Sequence, residues 1–131
     1  MTVIQRWHEI VETRDREAMA ALIAPEAVFE SPVVHTPQQG QAITVKYLSA
    51  ALEVLNNDTF RYLGEWRAER SAVLEFACEI DGITVNGVDM IWWDEADRVV
   101  RFKVMIRPLK AINLLHRLMG EKLMAGASTP A

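Results

Sequence analysis

The sequence predicts an α+β domain, with helices first, then a run of antiparallel strands, then one closing helix. Three observations carry this. Apolar residues recur at helical spacing from Val3 to Leu55. The period changes to two between Thr59 and Arg107. Helical spacing returns after Pro108.

Each element follows from its own residues. Val3, Ile4, Trp7, Ile10 and Val11 form one stripe, so residues 3–13 read as an amphipathic helix. Asp15 reads as the N-cap of a second helix carrying Met19, Leu22 and Ile23, closed by Pro25. Ala27 to Glu30 is a short strand, and SPVVHTPQQG after it is a loop, with its prolines and glycine. A third helix spans about Gln41 to Leu55 through Tyr47, Leu48, Ala51 and Leu52, ending at Asn56-Asn57-Asp58. Thr59–Ala68, Ala72–Ile80, Ile83–Trp93 and Val99–Arg107 read as strands. Asp81-Gly82 marks a hairpin and Asp94–Asp97 a second polar turn. Ile112, Leu115, Leu118 and Met119 give the last helix its stripe. These elements make one domain over 1–124, followed by a flexible tail over 125–131.

Composition removes several function classes. At 131 residues the chain fits one domain. A net charge of -4 without a Lys/Arg cluster points away from nucleic acid and anionic membranes. No apolar run approaches the ~20 residues of a membrane span, and the first residues lack a signal-peptide pattern. Cys78 is the one cysteine, which leaves no intrachain disulfide and no cysteine-rich zinc site. The expectation is a cytoplasmic protein without metal or organic cofactor.

Alternation sets the faces of the strands. Leu74, Phe76, Cys78 and Ile80 share one side; Val100, Phe102, Val104 and Ile106 share one side of the last strand. Asp89 is in phase with Gly87, Ile91 and Trp93, which puts it on the inner, concave side. A carboxyl group among such neighbours is costly to ionise. Two readings of it stand. It is a pocket acid or base, or it is a structural group bonded to backbone or to an arginine such as Arg107. Trp7 likewise reads as a core residue or as an indole donor aimed at a ligand. His35, in the proline-bracketed loop, is solvent-exposed or sits at a pocket mouth; His8 and His116 read as surface positions. Val88, Met90 and Trp92 face outward, and an apolar cluster there predicts a homodimer through the sheet.

The segments TVIQRW, ALIAPEAVFESPV, P-x-x-G and GVDMIWWDEADRVVRFKVMI resemble bacterial ketosteroid isomerases in order and spacing. More broadly they resemble the SnoaL-like and limonene-epoxide-hydrolase-like members of the nuclear transport factor 2-like superfamily. The resemblance implies a cone-shaped, curved sheet, mixed or antiparallel, wrapped around the N-terminal helices, with an extra C-terminal helix. It implies that Asp89 matches an aspartic acid that stays protonated and joins a tyrosine in an oxyanion hole. That tyrosine's position falls at Trp7, and the position of the family's carboxylate base falls at Ser31. Steroid isomerisation is therefore not expected. The epoxide-hydrolase arrangement is a poor match, because Gly87 stands where an arginine is needed.

The expected function is an apolar small-molecule pocket with Trp7 and Asp89 as polar contacts and Ser31 and His35 beside them. Val33, Tyr47, Leu74, Phe76, Cys78, Ile91, Phe102 and Val104 would line it. The alternatives are a cofactor-independent isomerase, cyclase or hydrolase using Asp89 on a polyketide, terpenoid or steroid-like substrate, and a non-catalytic dimeric interaction module.

Overall fold

The computed structural model of the protein describes residues 1–128. Helix α1 spans Val3–Thr13. The Thr2 hydroxyl accepts from the Gln5 amide at 3.2 Å, and the Gln5 side chain accepts from the Thr2 amide at 2.8 Å. This reciprocal cap fixes where the helix starts. Arg14 ends it in the left-handed region, at φ 57°. Asp15 caps α2 (Arg16–Leu22), accepting from the Ala18 amide at 3.1 Å. The chain then runs directly into β1 (Ile23–Glu30), longer than the expected strand because Pro25 lies within it rather than merely closing a helix.

The proline-rich loop returns as a two-residue strand, β2 (Gln38–Gln39), which pairs with Val28 and Phe29 of β1. Alternation cannot reveal a strand that short. Helix α3 (Gln41–Leu55) follows. The Gln41 side-chain Nε2 donates to the Ala20 and Ile23 carbonyls, both at 2.8 Å, tying α3 to the α2–β1 junction.

Strands β3 (Arg61–Arg67), β4 (Ser71–Ile80), β5 (Ile83–Trp93) and β6 (Val99–Arg107) form the antiparallel meander. The sheet order is β2-β1-β6-β5-β4-β3, with β1 parallel to β6 and every other pair antiparallel. The fold is the mixed α+β arrangement expected of the superfamily, with N-terminal helices and a C-terminal helix. Asp81 and Gly82, both at positive φ, close the β4–β5 hairpin. A cis Arg107–Pro108 bond leads into α4 (Leu109–Ser128). The segment expected as a flexible tail starts at 125; the helix continues to Ser128, and residues 129–131 lie outside the described residues.

One face of the sheet carries the core. Phe29, Leu74, Phe76, Cys78, Val85, Ile91 and Phe102 are all buried, and α1 adds Val3, Ile4, Trp7 and Ile10. The Trp7 ring lies 4.9 Å from that of Phe102. On the other face Val88, Met90 and Trp92 are half-buried, and the Arg101 guanidinium sits 4.3 Å from the Trp92 ring centre. Arg101 Nη2 donates to both Glu30 oxygens at 3.1 Å, so this cation is already paired across the β1–β6 seam.

Among the described residues no helix is long and apolar enough to cross a membrane.

Candidate functional site

A cavity of about 240 Å³ lies on the concave side. Trp7 of α1 lines its inner end together with Phe29, Phe60, Tyr62, Phe76, Asp89, Phe102 and Val104 from the sheet side. Tyr47, Leu48 and Ala51 of α3 form one wall. The loop Ser31–Val34 and the α4 residues His116, Met119, Gly120 and Leu123 frame it from other sides. The walls are thus almost wholly hydrocarbon, with few polar groups.

Asp89 occupies the middle of β5, opposite Leu74 on one side and Val104 on the other. It is 7% exposed. Its Oδ2 accepts a hydrogen bond from the Tyr62 hydroxyl at 2.9 Å, and among the described residues nothing else bonds the carboxyl. Arg107 is exposed at the strand end and does not pair with it. Burial therefore pushes the Asp89 carboxyl up to about 7, against a smaller downward pull from the Tyr62 bond. The Tyr62 phenol is itself raised well above its ordinary value, first by burial and then by the Asp89 charge.

Trp7 Nε1 donates to the Tyr62 oxygen at 3.0 Å. An indole can only donate, and a phenol has one proton. The direction of the chain is thereby set: Trp7 to Tyr62, Tyr62 to Asp89. Both donors are spent inside the chain. What remains for a molecule in the cavity is the second oxygen of Asp89, a donor when protonated and an acceptor when not. Tyr62 is held for this task by edge-on contacts with His8 and Phe60, at 5.0 and 5.1 Å between ring centres.

The cavity brings together Trp7, Ser31, Val33, Tyr47, Phe76, Asp89, Phe102 and Val104 from the sequence-derived set. The other four of that set lie elsewhere in the structure. Leu74, Cys78 and Ile91 share the inward face but are packed into the closed core cluster with α1 rather than open to the cavity. His35 is exposed in the loop and outside the lining. Trp7 also changes role, since its N–H is occupied by Tyr62. Ser31 Oγ accepts from the Val33 and Val34 amides at 3.0 and 3.4 Å, shaping its own turn. Gly87 is demanded by packing. A Cβ there would lie 2.6 Å from the Met105 carbonyl oxygen and 2.7 Å from the Phe76 ring, which leaves no room for an arginine.

Two polar residues of the cavity lie outside the expected set. Tyr62 is the more important, and its signal was an aromatic pair, Phe60 and Tyr62, at strand spacing. His116, read as a surface position, is exposed yet borders the cavity. Among the described residues no group of three His, Cys, Asp or Glu side chains is placed to hold a metal ion.

A curved mixed sheet closed by helices around an apolar cavity with one buried acid defines a class, and the comparisons identify it. The family described as SnoaL-like domain matches residues 4–102, and the chain belongs to it. It is similar to a steroid delta-isomerase from Pseudomonas aeruginosa, with 32% identity and a TM-score of 0.91 over 97% of this chain and 93% of that one. It is also similar to an uncharacterized protein with a cystatin-like fold from Silicibacter pomeroyi, at 27% identity and a TM-score of 0.88, covering 95% and 87% of the two chains. An NTF2-like protein of unknown function from Mesorhizobium loti, at 21% identity and a TM-score of 0.69 over 81% and 88%, shares the fold. No curated protein matches the chain by sequence.

Proposed function

We propose that the chain binds a small, mainly apolar carbonyl or hydroxyl compound in this cavity, with the Asp89 carboxylic acid as its hydrogen-bond partner. The observation that carries the reading is the state of Asp89. It is a buried carboxyl in hydrocarbon surroundings, its one protein partner is the Tyr62 hydroxyl, and its other oxygen is free. Structural buried acids are normally paired more fully than this. Trp7 supports Tyr62 rather than touching the ligand. Ser31 stands where a carboxylate base is expected from the resemblance, so steroid isomerisation by that base is not part of the reading.

The second reading, a cofactor-independent enzyme on a polyketide, terpenoid or steroid-like substrate, is favoured by one observation. A carboxyl near 7 is poised for proton transfer at neutral pH. A purely structural interaction module is disfavoured by the unfilled cavity.

The proposal includes a homodimer through Val88, Met90 and Trp92, supported by the half-buried cluster they form with exposed Trp66 and Met105 nearby. It also includes a cytoplasmic setting, for which the support is only that the single Cys78 is buried and free.

The test is thermal shift with steroids, terpenoids and aromatic polyketides on wild type and Asp89→Ala. A ligand at about 100 times its Kd stabilises the native form by about 2.7 kcal/mol. A shift in wild type that is lost in Asp89→Ala supports the site. A shift that survives in the variant puts the ligand elsewhere and refutes it.

A further inference from the structure

We infer that the cavity takes a basic nitrogen compound, a flat two-ring amine or nitrogen heterocycle whose protonated form pairs with the Asp89 carboxylate. The inference rests on the reading above for where the ligand lies, and goes beyond it in the chemistry of the atom that meets Asp89.

The charge of Asp89 has no counterpart in the protein. The carboxyl is 7% exposed, and its one bond comes from the neutral Tyr62 hydroxyl. No Lys or Arg is among the residues that line the cavity. The cations of the neighbouring strand β6 lie elsewhere. Arg101 and Lys103 pair with Glu30, at 3.1 and 3.8 Å, and Arg107 is exposed. A buried carboxylate ordinarily has a cation beside it. Here that cation is left for a ligand to bring. The rise of the carboxyl to about 7 is the mark of the missing charge, since burial is its first cause.

The hydrogen-bond chain points the same way. Trp7 Nε1 donates to the Tyr62 oxygen at 3.0 Å, and the Tyr62 hydroxyl donates to Asp89 Oδ2 at 2.9 Å. The indole cannot accept, so Oδ2 stays an acceptor and the other oxygen meets the ligand. A carbonyl matches only one state of that oxygen, the protonated one; the ionised carboxylate repels it. A basic nitrogen matches both. Its lone pair accepts the Asp89 O–H, or its own N–H donates to the carboxylate. The two arrangements differ by one proton transfer. The O–H bond breaks with its electron pair left on the carboxylate, and the nitrogen lone pair forms the new N–H bond. No co-reactant is needed, and the product is a charge-assisted bond in hydrocarbon surroundings.

The walls suit a cation. Seven of the ten Phe, Trp and Tyr residues of the chain line this one cavity. Three ring pairs surround Tyr62 and Asp89: Trp7 with Phe102 at 4.9 Å, Phe29 with Tyr47 at 5.4 Å, and Phe60 with Phe76 at 5.4 Å between centres. Aromatic rings stabilise a desolvated cation in a way that aliphatic walls do not. An aromatic enclosure with one acid inside it is therefore an arrangement for organic ammonium groups. Size sets the rest. An apolar cavity of about 150 Å³ holds benzene, so about 240 Å³ takes roughly ten non-hydrogen atoms, or two fused rings.

The experiment compares three two-ring probes of similar size by calorimetry: 2-aminoquinoline, 1-tetralone and naphthalene. The buffer is alkaline enough that free 2-aminoquinoline is mainly neutral. Wild type should bind 2-aminoquinoline at least about 10-fold more tightly than either of the others. The bound ligand should show the ultraviolet absorption of its protonated form. Asp89→Asn, which has no proton to give and no charge, should lose the preference and leave the ligand's spectrum neutral, while still binding naphthalene. If 1-tetralone binds wild type as tightly as 2-aminoquinoline does, the inference is overturned and the carbonyl reading stands. If 2-aminoquinoline is preferred but absorbs as the neutral base, or the preference survives in Asp89→Asn, the ion pair is overturned. The wild-type spectrum decides this alone should Asp89→Asn fail to fold. If none of the three binds wild type, the inference falls together with the binding reading.

Discussion

Replacing Asp89 by Asn should stabilise the protein at neutral pH and not at acid pH. Asn keeps the shape and an oxygen for the Tyr62 hydroxyl, but carries no charge. The magnitude follows from the carboxyl's rise from 3.8 to about 7 on folding. Below the lower value, both native and unfolded wild type are protonated and the carboxyl makes no difference. Between the two values the unfolded chain releases its proton while the native protein keeps it. Stability then falls with rising pH by about 1.4 kcal/mol per unit. By about pH 7 the loss is about 4 kcal/mol; above that the native protein ionises too and loses no more. Against a typical domain stability of roughly 5–15 kcal/mol this is a large fraction. Asp89→Asn has no such loss. Its new amide has a cost in the cavity that is the same at every pH, so only the baseline moves. Urea unfolding of both proteins from about pH 4 to about pH 8 reads the difference directly. It should open by about 4 kcal/mol across the range. A difference that stays flat would refute the buried, neutral acid.

Three further outcomes are expected. Tyr62→Phe removes the O–H that favours ionised Asp89, so the Asp89 midpoint should move up from about 7 in carboxyl 13C NMR; an unmoved midpoint would mean the bond is not made. The same variant strands the Trp7 indole, costing about 1–3 kcal/mol in unfolding. Gly87→Ala should lose about 1–3 kcal/mol by overpacking against Met105 and Ile106, and an unchanged melting temperature would show that the strand gives way freely. Trp92→Glu should shift sedimentation toward monomer, whereas an unchanged mass counts against association through this face.

Much of the fold could be read because the pattern and the burial agree. The α1 stripe is the buried face of that helix, and the phase that put Asp89 with Gly87 and Ile91 is the inward phase of β5. Two features resisted. Inward phase does not separate a closed core from an open cavity: Leu74 and Phe76 are neighbours on one face, yet only Phe76 meets the cavity, because helices decide where the sheet is covered. Tyr62 was hidden by an irregularity. Opposite Phe76 and Glu75, β3 places Tyr62 and Gly64 with Leu63 as the extra residue between them. Beyond it Glu65 faces inward opposite Leu74 and bonds His8, three positions after Tyr62 instead of two or four. A strict period of two assigns Tyr62 and Glu65 to opposite faces.

That irregularity lies on the outermost strand, where the sheet's backbone groups have no further partner. Such edges invite strands from neighbouring molecules. Here the extra Leu63 breaks the straight run, and the Trp66 indole lies over Gly64 so closely that a Cβ there would meet it at 2.9 Å. The extra residue that lets Tyr62 and Glu65 share the inward face thus also spoils the edge as a template for aggregation. Deleting Leu63 would leave Tyr62 opposite Phe76 and Glu65 opposite Leu74 but make the outer border regular, so solubility would be lost while the phenol kept its side of the sheet.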